Sequence, residues 1–219
     1  MTGVDQPDPD TEQVSDLEVR AIAAERLTFF VDAVIAIALT LLALDLTPPG
    51  GDTNAEVLRS FVDHYGEYEA FLISFLVIAA HWNSHHRVFR YVTHLDGRLT
   101  SLTLLWLLMQ VVTPFATRVI TAGGADQARY GFYATVQILA DVLFLLMVWE
   151  IHRHGMHRDD TPRTMFTHTY VRVVSIAAGF AISIPLSFVT RYSYALWIVA
   201  PVLVGLVQRA SRRASRSPA

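Results

Sequence analysis

The chain has no cysteine and no lysine, and little charge of either sign. Without cysteine there is no disulfide, no thiolate metal site and no cysteine nucleophile. Without lysine, Schiff-base chemistry and any phosphate loop that needs a lysine are excluded. Charged residues make up only 17% of the 219 positions, whereas a soluble domain carries roughly 25%. Hydrophobic residues make up 53%, and mean hydropathy is +0.36. That is too little charge to clothe a water-facing surface of this size. Disordered, collagenous and disulfide-scaffold classes fall to the same figures, the two tails apart. The formal net charge of −3 gives no bulk electrostatic pull toward nucleic acid.

What is present is a series of long apolar stretches. A helix needs about 20 largely apolar residues to cross a hydrocarbon core of roughly 30 Å. Six stretches qualify: 27–46, 70–89, 99–117, 130–151, 170–189 and a shorter one at 194–207 that holds Pro201. The expected fold class is therefore an all-α integral membrane protein with six transmembrane helices per subunit. Residues 1–25 are acidic and read as a disordered cytoplasmic tail. They lack the basic start of a signal peptide, so the first apolar stretch is kept as a span. Residues 26–208 form the membrane domain, and 209–219 form a basic cytoplasmic tail.

Arginine placement sets the expected orientation. Thirteen arginines fall on one side: Arg20 and Arg26, then Arg87, Arg90 and Arg98, then Arg153, Arg158, Arg163 and Arg172, then Arg209, Arg212, Arg213 and Arg216. Four (Arg59, Arg118, Arg129 and Arg191) fall on the other. Both termini are expected in the cytoplasm of a cell-membrane protein. The first outer loop is acidic, with Val57, Leu58, Phe61, Val62 and Tyr65 at helical spacing. A short amphipathic helix capped near Thr53 or Asn54 is expected there. The acidic residues read equally as a mouth that concentrates cations or as a solvated loop.

The first span reads AERLTFFVDAVIAIALTLLALDL. At about 100° per residue, Leu41 lies about 40° from Ile37, and Leu44 about 20° on the other side. Thr40 flanks this apolar stripe. Asp32 lies about 140° away, facing neighbouring helices if the stripe faces an axis. An acid at this depth is a functional-site candidate, with a structural hydrogen-bond anchor as the other reading. Its expected partners are His81, Trp82 and His85, near the same end of the second span. Gln137 and Asp141, four apart in the fourth span, read as a buried pair joining helices. Glu150, His152, His154 and His157 form a cluster that reads as a pH sensor or as ordinary solvated side chains.

Arg26-x-x-x-Phe30-x-Asp32, followed by AVIAIALTLLALDL, resembles the opening signature of the transmembrane protein 175 family of potassium channels. Val31 stands where that signature has Ser. His81-Trp82-Asn83-Ser84-His85-His86-Arg87 is similar to the family's W-x-x-H-H/R stretch. Leu104 to Phe115 is similar to its third helix, with Thr103 where many members carry Asn. The resemblance runs from about Arg26 to Phe115. It implies a homotetramer in which four first helices line a central pore, with Ile37, Thr40, Leu41 and Leu44 as pore-lining residues. It also implies a hydrophobic constriction in place of a carbonyl filter, and no T-V-G-Y-G segment occurs here. Arg26, Phe30, Asp32, His81, Trp82 and His85 are then a structural signature network. The expected function is a potassium-preferring cation channel and not an enzyme, with no cofactor and no resident metal. Its partners would be potassium ions, the lipid bilayer and further copies of itself, with no nucleic acid. The competing reading is a proton-coupled secondary transporter using Asp32, Asp141 and the histidines.

Overall fold

The computed structural model describes residues 9–122, 126–190 and 196–197. Within them the chain forms six helices: α1 (Pro9–Leu44), α2 (Asn54–Asp63), α3 (Tyr65–Phe89), α4 (Gly97–Thr121), α5 (Asp126–Arg153) and α6 (Arg163–Leu186). The first five expected spans correspond to α1, α3, α4, α5 and α6. The sixth, 194–207, lies outside the described residues except for Leu196 and Trp197.

Four of these helices are long and apolar enough to cross a membrane: the Ile22–Leu44 part of α1, then Gly97–Thr121, Gln127–Arg153 and Thr164–Leu186. The expected second span, α3, has the length, about 37 Å at 1.5 Å per residue, but not the apolarity. The reason is its second half, HWNSHH. Three of its polar side chains turn into the bundle: His81, Ser84 and His85 are buried, while Leu72, Phe75 and Leu76 are exposed on the outer surface. Lipid is as apolar as leucine, so burial alone does not hold such helices together. Close packing and interhelical hydrogen bonds do.

One expectation about the ends changes. The segment 9–25, expected as a disordered tail, is helical and continuous with the span. Its run of Glu, Leu, Arg and Ala favours helix, and the apolar stretch that follows supplies a nucleus to extend from. Trp197 is buried. It stacks on Tyr130 and Tyr133 at 4.8 Å each, and its indole N–H donates to Ser183 Oγ at 2.8 Å.

The expected amphipathic helix forms as α2. Thr53 Oγ1 accepts from the Glu56 N–H, and Glu56 accepts in return from the N–H groups of Asp52 and Thr53. This capping box satisfies donors that the first turn would otherwise leave free. Those two backbone N–H groups, Asp52 then Thr53, hold the Glu56 carboxyl below its ordinary 4.5. The cap therefore stabilises α2 fully above the ordinary carboxylate range, and its contribution disappears as pH falls through the lowered value. Amide protection factors in α2, corrected for the intrinsic exchange rate at each pH, should fall on that descent. Thr53→Ala should give the same loss of protection at neutral pH while leaving α3–α6 protected.

At the other end, α5 stops at Gly155, whose φ of +62° only glycine adopts freely. The reversed chain lets Met156 N–H reach Ile151 O at 3.0 Å. It also sets His157 opposite Val92, with Thr93 N–H on Met156 O at 3.0 Å and Arg158 N–H on Tyr91 O at 2.9 Å. The α3–α4 and α5–α6 connections are thus tied into one rim.

Candidate functional site on the first helix

One side of α1 is buried within the subunit. Ala24, Val31, Ile35, Ala38 and Leu42 recur three, four or seven apart and pack toward α3 and α4. The opposite side is bare. Ile37 is 58% exposed, Leu41 41% and Leu44 78%, and Thr40 is exposed beside them. Phe30 and Arg26 lie on the same outward stripe, and both are exposed. The apolar stripe read from the sequence is therefore a face of α1 that the described residues leave exposed. Thr40 Oγ1 donates to Ile37 O at 2.8 Å, which leaves the hydroxyl oxygen free to accept.

Asp32 lies on the flank between the two faces. Trp82 of α3 donates its indole N–H to Asp32 Oδ1 at 2.8 Å. A carboxylate in a membrane helix is costly without such a donor. His86, one turn on, stacks on Trp82 with ring centroids 5.5 Å apart.

The other two expected partners of Asp32 do not reach it. His81 turns to the bundle interior: its Nε2 lies 3.2 Å from Asp141 Oδ1, and its Nδ1 is 3.3 Å from the Gln110 amide. A neutral ring fits this arrangement if Nε2–H donates to Asp141 and Nδ1 accepts from the Gln110 amide N–H. His85 is packed between the rings of Phe89, at 3.9 Å, and Trp106, at 4.9 Å. The cause is helical geometry. Neighbours on a helix point about 100° apart, so positions 81 and 82 cannot serve the same partner, whereas 81 and 85 share a side.

The fourth-span pair does join helices, each member with a different one. Asp141 reaches α3 through His81, and the Gln137 amide donates to Thr113 Oγ1 of α4 at 3.2 Å. Farther along α4, Thr117 donates to Ser74 Oγ at 2.8 Å, and Ser74 meets Tyr133 OH at 3.1 Å. Sequence reasoning missed Gln110, Thr113, Thr117, Ser74 and Tyr133. A signal existed: Thr103, Gln110, Thr113 and Thr117 recur every three, four or seven residues along α4, and all are buried. Glu150 of the histidine-rich cluster is also buried, facing Arg98 at 3.4 Å and His154 at 3.2 Å, while His152 stacks near His157 and Phe166. Among the described residues no group of three or more His, Asp and Glu is placed to hold a metal ion.

Removing the indole donor tests the α1–α3 contact. Trp82→Phe should lower stability by about 1.5 kcal/mol, the lower part of the range for hydrogen bonds to charged groups, because Asp32 is partly exposed. In a thermal-unfolding double-mutant cycle with Asp32→Ala, the two losses should not add.

A bundle of long apolar helices, polar on the inside and with one helix face left bare, defines a multi-pass α-helical membrane protein. Residues 26–114 match the family described as the endosomal/lysosomal potassium channel TMEM175. A potassium channel of Streptomyces collinus is 30% identical over 172 residues, covering 75% of this chain and 82% of that one. A potassium channel of Chamaesiphon minutus is 29% identical over 145 residues, covering 64% of this chain and 68% of that one. The crystal structure of a lysosomal potassium-selective channel TMEM175 homolog from Chamaesiphon minutus shares the fold, with a TM-score of 0.69 and 22% identity over 84% of this chain and 97% of that one. The chain belongs to the TMEM175 family of potassium channels. Its relatives are channels and not enzymes.

Proposed function

We propose that this chain is a potassium-conducting channel subunit of the cell membrane, and that four copies place their α1 helices around one axis. The observation that carries the reading is the bare stripe of α1. Ile37, Leu41 and Leu44 are left exposed by the described residues of the subunit, although the other side of the same helix is buried. A closed ring of identical subunits turns each of these residues into a ring of four. The ring of Ile37 side chains is then the constriction, flanked by Leu41 and Leu44 toward the outer end, with Thr40 as the polar lining group.

Such a ring gates by dewetting. When the bore narrows, water leaves and an ion faces a dry barrier; a small outward tilt of α1 restores the water. Potassium sheds hydration more readily than sodium, so an apolar constriction favours potassium without a carbonyl filter. The Trp82–Asp32 bond fixes α1 at its inner end, which leaves tilt as the motion available to the outer half. The arginine count keeps both termini in the cytoplasm. A proton-coupled carrier is less well supported, because Asp32 ends on an indole N–H that cannot accept a proton, and His81 and Asp141 face away from it.

The test is potassium flux from liposomes loaded with a potassium gradient, in the presence of a protonophore. Flux that follows the electrical driving force, with no second gradient, is the expected result. Flux that demands a proton gradient overturns the channel reading.

A further inference from the structure

A cleft of about 620 Å³ opens between the inner end of α1 and the rim formed by α3 and the tied connections. One wall is α1, with Glu25 and Phe29. The other is the end of α3, with His86, Phe89 and Arg90, and Arg158 closes it from the α5–α6 connection. Ala24 and Val92 add to the apolar part of the lining. The Arg90 guanidinium donates to the Tyr91 hydroxyl at 2.7 Å and lies over that ring, with no carboxylate within ion-pair distance among the described residues. Arg158 is held in place by Asp160, at 3.1 and 3.2 Å.

We propose that this cleft binds the headgroup of an anionic phospholipid of the cytoplasmic leaflet, the phosphodiester on Arg90 and the first acyl carbons against Phe29 and Phe89. The orientation rests on the arginine count used under Proposed function. A guanidinium without a carboxylate offers a phosphate two parallel N–H donors. The His86 ring adds a further donor or an acceptor, as its tautomer allows. An apolar lining beside these groups suits an amphiphile and gives a free phosphate nothing to contact. Basic pockets between spans on the cytoplasmic side are where anionic leaflets deliver such headgroups. Glu25 is the one carboxylate of the lining and opposes the ligand.

The site also touches the helix that carries the gate. α1 forms one wall two turns below Asp32, and His86 of the other wall stacks on the Trp82 that holds Asp32. A lipid in the cleft therefore braces α1 against α3.

The full chain is purified, incubated with mixed micelles of phosphatidylglycerol and phosphatidylcholine, and the retained lipid is counted by native mass spectrometry. The expected result is preferential retention of phosphatidylglycerol, reduced several-fold by Arg90→Gln and increased by Glu25→Gln. Glycerol phosphate, the headgroup without its chains, should not compete. Equal retention of both lipids, or retention unchanged in both variants, overturns the proposal; so does displacement by glycerol phosphate, which would make the cleft a site for a soluble anion. Unfolding midpoints in phosphatidylcholine alone check that both variants fold. The readout is binding, so it stands or falls separately from flux in neutral vesicles, which tests the channel reading.

Discussion

Ile37→Asn should raise potassium flux through reconstituted channels about tenfold, equivalent to a barrier lower by about 1.4 kcal/mol, and bring the potassium and sodium rates close together. The isoleucine ring excludes water because its lining offers no hydrogen bonds. Four asparagine amides offer both donors and acceptors at nearly the same width, so the constriction stays wet and an ion crosses with part of its hydration in place. Preference falls with it, since preference there comes from the cost of dehydration. Ile37→Val keeps the lining apolar and should keep the preference. The position is bare within the subunit, so neither variant disturbs the fold. Unchanged rates and unchanged preference in Ile37→Asn would remove Ile37 from the constriction.

His81→Leu should cost about 1–3 kcal/mol of stability, the range for leaving a buried polar group without its hydrogen-bond partner. Asp141 is 1% exposed and its Oδ1 meets His81; its Oδ2 has no protein partner among the described residues. Taking away the imidazole leaves a carboxyl group in the middle of a helix bundle with nothing to receive it. Asp141→Leu orphans His81 less completely, because the Gln110 amide remains. The double variant His81→Leu with Asp141→Leu should recover most of the loss, since both polar groups leave together and the site becomes a packed apolar contact. Thermal unfolding in detergent reads the order: single His81→Leu lowest, double variant well above it. Potassium flux from the double variant near that of the parent would fix the pair as a structural joint. Abolished flux in a folded double variant would instead favour the carrier.

How far the sequence reveals this arrangement depends on which constraint dominates each element. Span positions were legible because the bilayer imposes a length and an apolarity that few other structures share. The helix at 54–63 was legible because Val57, Leu58, Phe61, Val62 and Tyr65 recur at helical spacing behind a capping Thr53 or Asn54. The two faces of α1 followed from a 100° step, and the exposures of Ile37, Leu41 and Leu44 against the burial of Ile35 and Leu42 agree with it. Partner choice was harder. Asp32 was expected among His81, Trp82 and His85, yet only Trp82 meets it, because which of three nearby residues faces a neighbour depends on how α3 is rotated in the bundle. The α4 polar stripe was hidden for a related reason: threonine can satisfy its own hydroxyl on the preceding turn, as Thr103 does on Leu99 O, so its presence in a span does not announce an interhelical contact. The helical start of α1 at Pro9 was obscured by acidic composition, which reads as a tail although its residues favour helix.

The absence of cysteine makes the most direct measurement simple. Ile37→Cys introduces the chain's single thiol at the proposed constriction, and Val171→Cys introduces one at a comparably exposed site on α6. With four α1 helices around an axis, four thiols converge at position 37 and bind cadmium from the aqueous pathway. Potassium flux through Ile37→Cys should be blocked by cadmium and restored by a chelator, while flux through Val171→Cys should be untouched. Flux through Ile37→Cys that ignores cadmium, with the thiol labelled only by membrane-soluble reagents, would place this face of α1 in lipid and contradict a pore lined by the first helix.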